Sequence, residues 1–168
     1  MALLIKKFGG TSVGSIEKIK NIAKHICDSK ENGNDLVIVV SAMGQSTDQL
    51  NALAESITKN PPRRELDMLL STGEQVTMAL LSMAINEYGI QAISMTGSQV
   101  GIITESIHGK ARILDIKTER VKDFLEQGYV VIIAGFQGAS LSHNGSMEIT
   151  TLGRGGSDTS AVALTCAL

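Results

Sequence analysis

Two short runs constrain this chain more than anything else in it. Leu36–Val40 reads LVIVV and Val130–Ala134 reads VVIIA. Neither alternates between apolar and polar positions. A strand with one solvated face alternates, whereas a strand apolar throughout is covered on both faces, as in the interior of a parallel sheet. Leu3–Phe8 and Ala92–Met95 predict two further strands. Helical patterns lie between them. Ser15 is placed to cap one to about Ser29, with Ile16, Ile19, Ala23 and Ile26 on one face. Others run from a cap at Thr47 to about Lys59, from Arg63 to Tyr88, from Thr118 to Gln127, and from Asp158 onward. Strands alternating with helices predict an α/β fold, a three-layer αβα sandwich around a mainly parallel sheet. Ligands in such sheets bind at loops beyond the carboxyl ends of strands, so the loops after Phe8, Val40, Met95 and Ala134 become candidates together.

The remaining pieces are less regular. Thr96-Gly97-Ser98 reads as a loop, Gly101 to Ile116 as short extended pieces turning at His108-Gly109, and Gln137 to Ile149 as a polar hairpin or flap. At 168 residues the chain reads as one domain. A charged content of 19% beside 43% hydrophobic residues reads as globular rather than disordered. Net charge is −2 and aromatics make up 3%, which argues against nucleic-acid stacking surfaces and against a basic field for DNA or anionic membranes. No apolar run is expected to reach membrane-helix length. Cys27 and Cys166 lie far apart and read as idle thiols of a cytoplasmic protein, without metal spacing around them.

Two glycine-rich segments carry the chemistry. Lys6-Lys7-Phe8-Gly9-Gly10-Thr11-Ser12 ends the first strand, and Gly153-Arg154-Gly155-Gly156-Ser157-Asp158 precedes the last helix. Small residues let backbone N–H groups converge on an anion, and a helix N-terminus adds positive potential. Gly9 to Gly14 is not a P-loop, because Ser15-Ile16 stands where Lys and Ser or Thr are required. Lys7 instead precedes the glycines, either to neutralise a phosphoryl group or as a solvated lysine in a tight turn. Ser41 to Asp48 is either a substrate loop, with Ser41 and Thr47 donating, or a turn with Thr47 as cap. Glu74 follows Gly73 in an apolar helix and needs a partner, either a substrate ammonium or one of Arg63, Arg64 and Arg112. A lone histidine such as His108 is ordinarily structural; His25 and His143 offer less. Arg154 presents a planar fork suited to a carboxylate. Ser157 and Asp158 stand where the next helix needs a cap.

Four motifs then occur in a familiar order: Lys7-Phe8-Gly9-Gly10-Thr11-Ser12, Ser41-Ala42-Met43-Gly44, Ser71-Thr72-Gly73-Glu74 and Thr151 to Asp158. Together they resemble the N-terminal part of the aspartokinase (aspartate kinase) family, within the amino acid kinase fold. The resemblance implies ATP-dependent phosphorylation of the aspartate side chain, the first step toward lysine, threonine and methionine. It implies that Lys7 stabilises the transferring phosphoryl group and that Asp158 orients that lysine or the Mg–phosphate assembly. Phe8, Gly9 and Gly10 would border the nucleotide, with Ser41 at its junction with aspartate. Arg154, with Gly155 and Gly156, would take the α-carboxylate, Glu74 the ammonium, and Thr47 and Ser157 further hydrogen bonds. Mg2+ would be held mainly by the ATP phosphates. The family continues past this helix into the rest of the nucleotide site and regulatory ACT domains. The expectation is therefore a C-terminally incomplete domain, inactive alone, whose unfinished sheet leaves an edge and an uncovered face that favour self-association; the alternatives are another enzyme of the amino acid kinase fold or a non-catalytic binding module.

Overall fold

The computed structural model describes residues 2–141 and 145–168. The chain enters through β1 (Leu3–Phe8) and α1 (Ile16–Glu31), then β2 (Asp35–Val40), α2 (Ser46–Ile57) and α3 (Arg63–Glu87). Next come β3 (Ala92–Met95), α4 (Gly97–Val100), β4 (Ile102–Thr104), β5 (Ile113–Ile116) and α5 (Glu119–Glu126). It finishes with β6 (Val130–Ala134), β7 (Gln137–Leu141), β8 (Met147–Thr151) and α6 (Gly156–Ala167).

The two apolar runs are neighbours. β2 and β6 pair in parallel, Val37 opposite Val131 through Val40 opposite Ala134, at the centre of a four-stranded sheet ordered β1-β2-β6-β3. Every pairing in that sheet is parallel. Both runs are covered on both sides because their side chains alternate between two cores. Leu36, Ile38, Val40, Ile132 and Ala134 face a core with α1 and α3. Val37, Val39, Val131 and Ile133 face the other, with Val100, Ile102, Val121 and Leu164. Burying each such side chain contributes roughly 1.5–3 kcal/mol. This is the expected α/β sandwich.

A second sheet that the periodicity did not predict forms a further layer: its β4 and β5 pack on the core away from α1 and α3, while its β8 lies against α3. Its order is β5-β4-β7-β8, with antiparallel outer pairs and one parallel contact between Ile103 and Ala139. The polar segment from Gln137 supplies β7 and β8, paired antiparallel; positions 142–144, including His143, lie outside the described residues. Thr104 and Thr150 join hydroxyls inside this layer at 2.6 Å.

Several local readings are corrected. Ile16 leaves the apolar face of α1 and is 51% exposed, because Ile19, Ile22, Ala23 and Ile26 already cover the sheet. Ser15 does cap that helix, accepting from the Lys18 N–H. Thr47 is not a cap, since α2 begins at Ser46 with Gln45 before it and no capping side chain. Thr96-Gly97-Ser98 is no loop: Thr96 and Gln99 form a capping box that starts α4. Neither Ser157 nor Asp158 caps α6, whose N-cap is Gly155 in the left-handed region at φ 73°. The helix α3 does have the length and hydropathy of a membrane span, but half of that stretch is buried inside this fold. Cys27 is buried, its thiol pushed up by burial and by Glu31 and Asp28, while Cys166 is exposed; both are free.

Candidate functional site

The parallel sheet sets the site. At its carboxyl edge the Ser41 N–H donates to Phe8 O and the Gly135 N–H to Val40 O, each at 3.0 Å, so three loops leave side by side. The Gly44 N–H donates to Gly10 O at 3.0 Å and locks the first two loops together. Gly10 is required there: a Cβ would lie 2.8 Å from the Ala42 carbonyl oxygen. The loop after Met95 takes another course, into α4 behind Gln137, and does not reach the same opening.

Above these loops lies a cavity of about 610 Å3. Its walls come from the β1 and β2 loops, α2, one face of α3, Phe136 after β6, and the segment between β8 and α6. Lys7, Gly10, Ser41, Thr47, Glu74 and Arg154 all line it, as do Gly155, Gly156, Ser157 and Asp158. Phe8 and Gly9 do not. Phe8 packs at the edge of the α1–α3 core and borders a separate recess with Thr11 and Lys18, and Gly9 sits in the turn beside Lys7.

The charges are arranged unequally. Lys7 Nζ pairs with Asp158 Oδ1 at 2.8 Å, joining the two glycine segments across the opening. Glu74 is 3% exposed and its Oε1 accepts the Ala42 N–H at 3.2 Å. Its Oε2 is buried with no hydrogen-bond partner among the described residues. None of the three arginines proposed as partners reaches it: Arg64 pairs with Glu65 and Glu148, and neither Arg63 nor Arg112 forms an ion pair among the described residues. Burial pushes the Glu74 carboxyl up to about 7 from 4.5, with its own and the Ala42 backbone N–H groups opposing the shift. Arg154 is exposed on the cavity wall and forms no ion pair among the described residues. Among the described residues, the cavity therefore brings together a buried carboxylate oxygen without a partner and a guanidinium without an ion pair, a matched set for a molecule with an ammonium and a carboxylate.

Two features escaped the sequence reading. Asp67, 1% exposed, receives four hydrogen bonds from His108, Gly109 and Thr151. Its setting between Leu66 and Met68-Leu69-Leu70 carries the same signal that singled out Glu74. Phe136 has φ 69°, unusual outside glycine, with its N–H donating to Ser160 Oγ and its carbonyl accepting from Leu152 N–H. No sequence signal marks it. No group of three or more His, Cys, Asp or Glu converges on a metal position among the described residues.

The chain is similar to known proteins. The amino acid kinase family model matches residues 2–168. The aspartokinase of Bacillus sp. (strain MGA3) is 59% identical across all of this chain, which spans 40% of that relative. Aspartokinase 2 of Bacillus subtilis is likewise 59% identical over the same share. The crystal structure of aspartate kinase from Synechocystis superposes with a TM-score of 0.81 at 54% identity, over 97% of this chain and 26% of that one. With its residues matched from one end to the other, the chain belongs to the amino acid kinase family.

Proposed function

We propose that this chain forms the amino-acid side of an aspartate kinase, which transfers the γ-phosphoryl group of ATP to the side-chain carboxylate of L-aspartate. The observation that carries the reading is the buried Glu74 Oε2, without a partner among the described residues, in the cavity that Arg154 also lines. Glu74 takes the substrate ammonium and Arg154 its α-carboxylate, leaving the side-chain carboxylate to face Lys7. The relatives' names point the same way. A phosphorylated or uncharged acceptor would leave the Glu74 carboxylate without a cation.

The chemistry asks little of a base. The aspartate side chain is already ionised at neutral pH. One of its oxygens attacks the γ-phosphorus, the bond to the bridging oxygen breaks, and 4-phospho-aspartate and ADP form. Catalysis is then positioning and charge neutralisation. Lys7 stabilises the phosphoryl oxygens and Asp158, 2.8 Å away, holds the lysine in place. The Gly10 backbone turns toward the same opening, and Ser41, Thr47 and Ser157 supply hydrogen bonds from its wall. Mg2+ would accompany ATP, held mainly by its phosphates.

The chain spans about 40% of the curated relatives it matches. The direct test is therefore binding: calorimetric titration with L-aspartate and with succinate, which lacks the ammonium. Aspartate is expected to bind and succinate at least tenfold more weakly, with Glu74→Ala removing the difference. Unchanged aspartate binding by Glu74→Ala overturns the reading. ATP-dependent formation of aspartyl hydroxamate, measured on a protein of the relatives' full length, tests the transfer step.

A further inference from the structure

We propose that Asp67 is a positioning residue that sets the span between the two ends of the substrate site, an inference that rests on the aspartate-kinase reading. Asp67 and Glu74 both lie on α3 and both line the cavity. They are seven positions apart, two helical turns, which places them on the same face about 10 Å apart along the axis. Their situations differ. Glu74 has an oxygen left over, whereas Asp67 is saturated. Asp67 Oδ2 accepts the Gly109 N–H at 3.0 Å and the Thr151 N–H at 3.1 Å, and Oδ1 accepts the Thr151 hydroxyl at 2.6 Å. His108 Nδ1 lies 2.9 Å from Oδ2 and, facing a carboxylate, must carry the hydrogen.

These donors lead directly to Arg154. Thr151 ends β8 three positions before it. Leu152 is pinned by its N–H donating to Phe136 O at 2.9 Å. Gly153 then turns at φ 79° over Gly109, whose carbonyl oxygen would lie 3.3 Å from a Cβ at 153. The Ala111 N–H donates to Thr151 O, completing the tie between the two segments. One buried carboxylate thus holds the helix bearing Glu74 to the strand end and the loop bearing Arg154. An amino acid gripped at its ammonium and α-carboxylate must match that span. Arg154 itself is exposed and unpaired among the described residues, so its placement comes from this backbone.

A positioning role has a signature that general stabilisation lacks: Asp67 acts through Arg154, so the two must be coupled. L-aspartate is titrated against wild type, Asp67→Asn, Arg154→Ala and the double variant. Asp67→Asn is expected to weaken binding at least tenfold in the wild-type background and less than twofold in Arg154→Ala. Additive losses overturn the proposal. Amide hydrogen exchange supplies a readout free of ligand. In Asp67→Asn, and in the milder Thr151→Val, amides of 153–157 are expected to exchange at least tenfold faster, with those of Val37–Val40 unchanged. Equal acceleration in both regions overturns it. If wild type takes up no aspartate, the substrate reading fails and the exchange experiment alone judges Asp67. If Asp67→Asn does not fold, Thr151→Val serves in both experiments.

Discussion

The Ala42 backbone N–H donates at 3.2 Å to Oε1 of Glu74, a carboxylate buried to 3% exposure. Burial raises the Glu74 carboxyl to about 7, so near neutral pH this group is close to half protonated. A cationic amine binds the ionised form. Aspartate affinity is therefore expected to fall roughly tenfold per unit as pH drops below about 7, and to level off above it. Titration calorimetry between pH 5.5 and 8.5 measures this. Glu74→Gln should flatten the profile as well as weaken binding; a profile unchanged by that substitution assigns the proton elsewhere.

The same group makes the ligand-free protein less stable as pH rises. Its carboxyl sits near 7 when folded and near 4.5 when unfolded, so the folded state holds the extra proton between those values. Stability from this group is full below about 4.5 and lost through about 7, a change of about 3 kcal/mol. Urea unfolding at pH 5 and pH 8 should show wild type losing more stability than Glu74→Gln over that interval. Equal losses would mean that the charge is solvated on the unfolded scale after all.

Gly73 stands beside Glu74 for a reason that the helix alone does not supply. A Cβ there would lie 2.9 Å from the Ala42 Cβ, so α3 and the β2 loop meet only because the side chain is absent. Alanine normally favours a helix interior by about 1 kcal/mol over glycine. Overpacking costs typically about 1–3 kcal/mol and would move Ala42 off the carboxylate. Gly73→Ala is expected to lower the urea midpoint and weaken aspartate binding together. A more stable protein with normal affinity would show that the helix shifts freely.

The parallel sheet could be read from β2 and β6 because both-sided burial leaves a local trace, an unbroken apolar run. The second sheet left none. β4 and β5 are three and four residues long, and their partners are chosen by contacts distant in the chain. α4 did carry a local signal, Thr96 followed three positions later by Gln99, hidden behind the turn character of Gly97. Glu74 and Arg154 stood out because each is chemically out of place, a carboxylate in an apolar helix and a guanidinium among glycines. Asp67 is equally out of place, but its donors lie at 108, 109 and 151, a grouping that only the fold assembles.

Lys7 and Asp158 test whether a contact serves stability or chemistry. Lys7 is 27% exposed and Asp158 68%, and ion pairs so open to water contribute at most about 1 kcal/mol. Lys7→Met and Asp158→Asn should therefore unfold within about 1 kcal/mol of wild type. In a protein of the relatives' full length, hydroxamate formation should fall by about 100-fold or more for Lys7→Met, the scale for losing one charge-stabilising donor. Asp158→Asn should lose less, because the lysine remains. Full activity in Lys7→Met would remove it from the phosphoryl side.

Arg154 separates charge from shape. It is exposed, forms no ion pair among the described residues, and follows Gly153 in the left-handed region. Its removal costs the fold little, so Arg154→Lys and Arg154→Ala should leave the urea midpoint near wild type. Binding should respond to geometry. A lysine keeps the charge but loses the two parallel donors that match a carboxylate. Arg154→Lys is thus expected to weaken aspartate by at least tenfold, and Arg154→Ala further still. Aspartate amidated at the α-carboxylate should bind wild type and Arg154→Ala with equal weakness, since the group that the guanidinium grips is gone. A lysine variant with wild-type affinity would mean that charge alone suffices, and that the fork at 154 is not what reads the substrate.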